Sequence, residues 1–163
     1  MLNSLLVVLI LVAVTIFGVH EYDLTTANQK ASDAVSETAM IISGTERMAA
    51  GNPNYTGLTT AIAIQNGVFP ENMAVQGSTA ALDGWGGDVH DDAATTGFTV
   101  TFDGVPESAC ATLATGYAGK DLLSVSINGT VLSPPFTAIQ ASQDCTQTGS
   151  GVSGGNTVAF NIE

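Results

Sequence analysis

Residues Met1–Asp23 read MLNSLLVVLILVAVTIFGVHEYD, an apolar run in which Asn3, Ser4 and Thr15 are the only polar side chains before His20. As a helix, the stretch from Met1 to Val19 rises about 1.5 Å per residue and reaches roughly 28 Å, close to the hydrocarbon thickness of a bilayer. Three readings compete: a cleaved secretory signal, a permanent anchor, and a helix buried in a protein assembly. A signal peptide needs a positive n-region and a small-residue cleavage site, whereas this chain has no Lys or Arg before Lys30 and no A-x-A near Gly18. The residues that follow bear on the other two readings. Ala27, Ala31, Ala34, Val35, Thr38, Ile41, Ile42, Met48 and Ala49 recur at three- and four-residue steps, which places one apolar stripe on a helix running to about Ala50. GNPNYTG, residues 51–57, then stops it, with Gly51 as a C-cap and Pro53 forbidding continuation. Residues 2–50 thus read as one helix, apolar all round over residues 1–25 and amphipathic over residues 26–50. Gly18 is a candidate unwinding point, because glycine costs about 1 kcal/mol against alanine inside a helix. A small residue in a continuous helix is the alternative.

Residues 51–163 are enough for one modest domain. Only 11% of the chain is charged, and with 18 Gly its polar surface must rest mainly on hydroxyls and amides. Fifteen acidic residues face three basic ones, Lys30, Arg47 and Lys120, for a net charge of −12. That balance offers no basic patch for nucleic acid, and no polybasic segment for an anionic membrane surface. A strongly acidic coat fits solubility, or spacing between copies in an assembly.

Local patterns fill in the domain. GLTTAIAIQNGVFPENM (57–73) suggests a short helix around Leu58 to Gln65, ended by Asn66-Gly67 and Pro70. GWGGDVHDDAATTGFTVTF (84–102) holds a glycine-rich turn, an acidic loop and a half-buried strand at FTVTF. VPESACATLATGYAG (105–119) has Pro106 at a helix start, Glu107 in the first turn, and Cys110, Leu113 and Ala114 on one side. LLSVSINGTVL (122–132) is a hairpin about Asn128-Gly129, and NTVAFNIE (156–163) alternates as a last strand. The expected fold class is α+β, a long N-terminal helix packed on a C-terminal antiparallel sheet domain.

Chemistry-bearing residues are few. Cys110 and Cys145 fit no zinc or redox spacing. In an exported domain they would form one disulfide, closing residues 110–145 and stabilising the fold by roughly 3–4 kcal/mol; two reduced structural cysteines are the alternative. A bridge would place the domain outside the cytoplasm. His20 and His90 have no triad or metal partner in sequence, and His90 reads as a solvent-facing loop histidine. Asp88, Asp91 and Asp92 offer oxygen ligands without the alternation of an EF-hand, so a plain acidic loop is preferred to calcium. No catalytic, cofactor-binding or metal-binding residue is assigned, and no cofactor is expected. Trp85 between glycines reads as a packing anchor, and Asn54-Tyr-Thr and Asn128-Gly-Thr match glycosylation sequons.

The order of these features resembles a type IV pilin, most closely the type IVb class that includes the pilins of toxin-coregulated and conjugative thin pili. The segments that carry the resemblance are the apolar-then-amphipathic helix, GLTTAIAIQNGVFPENM, WGGDV and FTVTFDGVPESAC, together with the Cys110 to Cys145 loop. Mature chains of the class often begin with methionine, as here. The resemblance implies a non-enzymatic subunit, held in the inner membrane by its helix and then polymerised with copies of itself into an extracellular fibre. Leu5, Leu6, Val8, Leu9, Val12, Ile16 and Phe17 would form the polymerising surface. It also implies pilus assembly machinery and a prepilin peptidase as partners, with Met1 the processed, N-methylated first residue. Most pilins carry glutamate at the fifth mature position, where this chain has Leu5. Asn3, Ser4 or backbone carbonyls near Gly18 would then accept from the terminal amine, since a buried amine without an acceptor is expensive. The departure also admits a minor or initiating subunit. A type II secretion pseudopilin and a membrane-anchored periplasmic enzyme or binding module remain as alternatives.

Overall fold

The computed structural model describes residues 26–50, 55–76, 80–146 and 155–163. Residues 26–48 are helix α1. Its three-four stripe is the buried one: Ala31, Ala34, Thr38, Ile41 and Ile42 lie against the head, with Val35 and Met48 half-buried beside them. The helix closes slightly before Ala50, the Ala49 amide donating to the Thr45 carbonyl at 2.9 Å and the Ala50 amide to that of Arg47 at 3.3 Å. Gly51 and Pro53, the expected stop, lie outside the described residues.

Helix α2 (Thr60–Gln65) begins two residues after Leu58, because the Thr59 hydroxyl caps it by accepting from the Ile62 amide at 3.3 Å. Its end is a Schellman turn: Gly67, at φ +67°, donates to Ile64 and Val68 donates to Ala63. This turn sends Val68 and Phe69 back into the core.

All strand pairs are antiparallel in a sheet that, among the described residues, has seven strands. They are β1 (Ala74–Gln76), β2 (Ala80–Leu82), β3 (Asp88–Ala94), β4 (Gly97–Val105), β5 (Leu122–Ile127), β6 (Thr130–Leu132) and β7 (Asn156–Ile162), in the order β1-β2-β3-β4-β7-β5-β6. The last strand in sequence is therefore inserted between β4 and β5. Strand alternation puts Phe98, Val100 and Phe102 of β4 and Val158, Phe160 and Ile162 of β7 on one wholly buried face. Phe102 and Phe160 meet edge to face at 6.3 Å. Between Phe102 and Val105 the β4–β7 register shifts, and there Gly104, at φ +76°, passes so close to Gly155 that a Cβ on Gly155 would lie 2.3 Å from the Gly104 carbonyl carbon.

Helices α3 (Glu107–Gly116) and α4 (Ala138–Asp144) pack together, with α3 against β7 inside the sheet. Ala109, Cys110, Leu113 and Ala114 are the buried side of α3. Helix α4 was not expected from apolar spacing; it is held by a capping box in which the Gln140 amide donates to the Thr137 hydroxyl and the Thr137 amide to the Gln140 side chain. The segment Asp88–Ala94, read above as an acidic loop, is strand β3. Its composition disfavours a strand, and six register pairs with β4 override that preference.

Candidate functional site

The seam between α1 and the head is built from small residues and buried carboxyls. The Thr45 hydroxyl, on α1, donates to Asp91 Oδ2 on β3. The Asp91 amide donates to the Thr60 hydroxyl at 3.0 Å, and the Thr60 amide donates to Asp92 Oδ1 at 3.1 Å, so one polar cluster ties α1, α2 and β3 together. Asp91 is wholly buried and its Oδ1 has no partner among the described residues. Burial pushes its carboxyl up to about 7; the Thr45 hydrogen bond opposes the rise and the Asp92 charge adds to it. Farther along α1, Asn72 Nδ2 donates to Glu37 Oε1 at 2.5 Å. Burial raises Glu37, Asn72 opposes this, and the charges of Asp83 and Asp33 add to it. Asp83, in the β2–β3 turn, accepts from the Trp85 and Gly87 amides at 2.8 and 2.9 Å. Its pKa is also raised by burial, against those hydrogen bonds and the charge of Lys30.

At the other end of the sheet the cysteines are joined: Cys110 on α3 and Cys145 at the end of α4 form a disulfide with Cα atoms 5.9 Å apart. Next to it, buried Asn156 is a hub. Its Nδ2 donates to the Val105 carbonyl at 3.0 Å, and its Oδ1 accepts from the Thr146 amide and from Asn128 Nδ2, each at 2.8 Å. Asn128 Nδ2 also donates to the Asp144 carbonyl at 2.8 Å, and its Oδ1 accepts from the Thr157 amide at 3.0 Å. The hairpin turn, α4, β4 and β7 are thereby fixed around the bridge.

Several expected positions change character. Strand alternation separates Asp91, which faces the core, from Asp88 and Asp92 on the other side of β3, so the three aspartates do not converge. His90 lies on that outer side of the strand, its Nε2 3.9 Å from Asp103 Oδ2, and not in a loop. Trp85 packs half-buried against the core between turn glycines. Asn128 of the second sequon already uses its side-chain amide in two hydrogen bonds. Met1, Asn3, Ser4, Leu5, Leu6, Val8, Leu9, Val12, Ile16, Phe17, Gly18 and His20 lie outside the described residues, as does Asn54. No described helix is long and apolar enough to cross a membrane, and no group of three or more His, Cys, Asp or Glu among the described residues is placed to hold a metal.

Sequence reasoning missed Thr45 and Asn156, and placed Asp91 in an acidic loop instead of on the buried face of a strand. Thr45 carried a weak signal, a hydroxyl at a step of the apolar stripe. Nothing local marked Asn156 or the inward orientation of Asp91, which depend on which strand each residue's neighbours pair with. The described carboxyls are spread along a seam and are tied to hydroxyl, amide and backbone N–H groups of neighbouring segments, an arrangement suited to fixing a helix on a head.

A family model described as PilS N terminal matches residues 28–163. The chain is similar to a crystal structure of a type IV b pilin from Salmonella typhi, with 28% identity over 80% of this chain and 98% of that chain, at a TM-score of 0.67. An NMR structure of type IVb pilin (PilS) from Salmonella typhi gives 27% identity over 80% of this chain and 94% of that chain, at a TM-score of 0.49. No curated protein matches.

Proposed function

The chain belongs to the PilS family of type IVb pilins, structural subunits and not enzymes, and from that premise we propose that it is a major pilin polymerising into an extracellular type IV pilus for adhesion, aggregation or conjugative contact. The observation that carries this reading is the family match across residues 28–163, which joins the amphipathic helix to the whole head. The apolar run before it supports the same reading, because a helix apolar on every face is equally at home in lipid and among copies of itself. In this reading residues 1–25 anchor the subunit in the inner membrane and then form the fibre core through Leu5, Leu6, Val8, Leu9, Val12, Ile16 and Phe17. Residues 26–50 carry the head, residues 51–163, outside that core. Prepilin peptidase generates the N-methylated Met1, and the assembly machinery moves the subunit from bilayer to fibre. Asn3, Ser4 or carbonyls freed near Gly18 accept from the terminal amine in place of the missing glutamate.

Shearing surface material from cells that express the full chain, followed by electron microscopy and mass spectrometry, tests the reading. Long fibres in which this chain predominates are expected. Fibres in which it is a trace component would make it a minor subunit, and only short periplasmic assemblies would favour a pseudopilin. A fibre map with the Met1 amine surrounded by apolar atoms alone would overturn the acceptor assignment.

A further inference from the structure

Residues 55–73 carry α2 and lie across the seam between α1 and the sheet: α2 packs on β2 and β3, and Val68 reaches Gly44 on α1. A helix of six residues does not hold its shape alone, so its footing decides whether it stays. That footing includes two buried carboxyls, one meeting each end of the segment. Near the start, the Asp91 amide donates to the Thr60 hydroxyl and the Thr60 amide to Asp92 Oδ1. Near the end, Asn72 Nδ2 donates to Glu37 Oε1 on α1. Both Asp91 and Glu37 are buried.

Asp91 is poorly provided for as an anion. Among the described residues one side chain, Thr45, donates to its Oδ2, and its Oδ1 has no partner. No cation balances it. Its neighbour on β3 is Asp92, whose charge opposes ionisation; α2 carries no titratable side chain; and Val100 stands opposite on β4. Glu46 and Arg47 flank Thr45 along α1, and Tyr55, before α2, feels the Asp91 charge. Glu37 likewise has the negative Asp33 and Asp83 about it, with Lys30 acting on Asp83. A buried carboxylate short of donors is costly, whereas the neutral acid needs fewer and can itself donate.

We propose that residues 55–73 are a proton-operated flap, closed on α1 and β3 while Asp91 is neutral and opening locally once Asp91 ionises, with Glu37 acting in the same sense at the other end. Opening gives the carboxylate the water that the closed seam withholds. The flap moves and β3 does not, because six register pairs hold β3 to β4. The flap's described hydrogen bonds to β3 are the two contacts of Thr60 with the Asp91 amide and Asp92, and that of the Ala93 amide to the Leu58 carbonyl at 3.3 Å. Segments so lightly tied open at lower free energy than the sheet beneath them. The device belongs to the single subunit and does not depend on its assembly.

The test is hydrogen exchange with mass spectrometry on the full chain in detergent micelles at pH 5, 6, 7 and 8, with labelling times scaled to the intrinsic rate at each pH. The closed state binds one more proton than the open state between the ordinary carboxyl pKa of 3.8 and about 7. Protection of residues 58–69 should therefore fall about tenfold per pH unit from pH 5 to 7 and level off near pH 8. At pH 8 it should lie at least about tenfold below the protection of β4 and β7. Equal protection in flap and sheet would overturn the proposal by showing that the head opens as one unit, and so would a flap whose protection ignores pH. Asp91→Asn should leave only the slope owed to Glu37, and Asp91→Asn with Glu37→Gln should leave none; a slope that survives the pair overturns the assignment. Thr45→Val keeps Asp91 and removes the bond that favours its ionised form, so the fall should continue to higher pH than in the parent. An unchanged profile in Thr45→Val counts against the flap even where Asp91→Asn does not fold.

Discussion

Asp91 shows how one residue sets a pH response. Its folded pKa of about 7 lies above the ordinary 3.8, so the folded chain binds more protons than the unfolded chain between those values. Its contribution is therefore most favourable below 3.8 and declines as pH rises to about 7, by at most about 1.4 kcal/mol per pH unit. The raised Glu37 and Asp83 act in the same direction. Asp91→Asn should remove part of this slope, leaving the variant more stable than the parent at pH 8 but not at pH 5. Thermal melts at the two pH values check this, and an equal loss at both would show that the charge is not the issue. Asn128 is the second single-residue case. Asn128→Ala should destabilise by about 1–3 kcal/mol, because the partner Asn156 Oδ1 and the Asp144 carbonyl each lose a donor. The same two bonds predict that intact mass spectrometry finds Asn128 unglycosylated.

Between elements, α1 comes very close to α3. A Cβ on Gly116, the last residue of α3, would lie 2.2 Å from a methyl of Val35 on α1. Gly116→Ala should therefore cost about 1–3 kcal/mol by overpacking. Val35→Ala in the same chain should recover part of that loss, so that a double-mutant cycle by urea unfolding gives a non-additive result. Additive losses would place the strain elsewhere. Small residues in α1, namely Ala31, Ala34 and Gly44, serve the same close packing, Gly44 being in reach of Val68.

For the whole molecule, the decisive constraint is the insertion of β7 between β4 and β5. This joins the residues before the disulfide loop to those after it, and the bridge limits how far the unfolded chain can open. Replacing Cys110 and Cys145 together by Ala should lower unfolding free energy by about 3–4 kcal/mol. Because the bridge clamps α3 to α4, the loss should appear in hydrogen exchange first along α4 and β6, while β4 stays protected. Protection lost equally across the sheet would mean that the head unfolds as one unit.

The sequence by itself determined the features that repeat within a few residues of one another. FTVTF alternates in burial as it alternates in polarity, α3 buries Cys110, Leu113 and Ala114, and Asn128-Gly129 turns the hairpin with both residues at positive φ. Family resemblance added the expectation of a pilin head, and the alternative of two reduced cysteines was removed only when the fold brought Cys110 and Cys145 together. Tertiary structure alone decided that DVHDDAA is a strand, that Asp91 points inward to Thr45 while Asp92 does not, and that the last strand lies mid-sheet. Periodicity is written in the side chains of one segment and acts over one or two turns or strand repeats. The choice of a strand's neighbour, and with it the burial of a carboxyl on one face, is an energy shared between distant segments, and no single segment displays it.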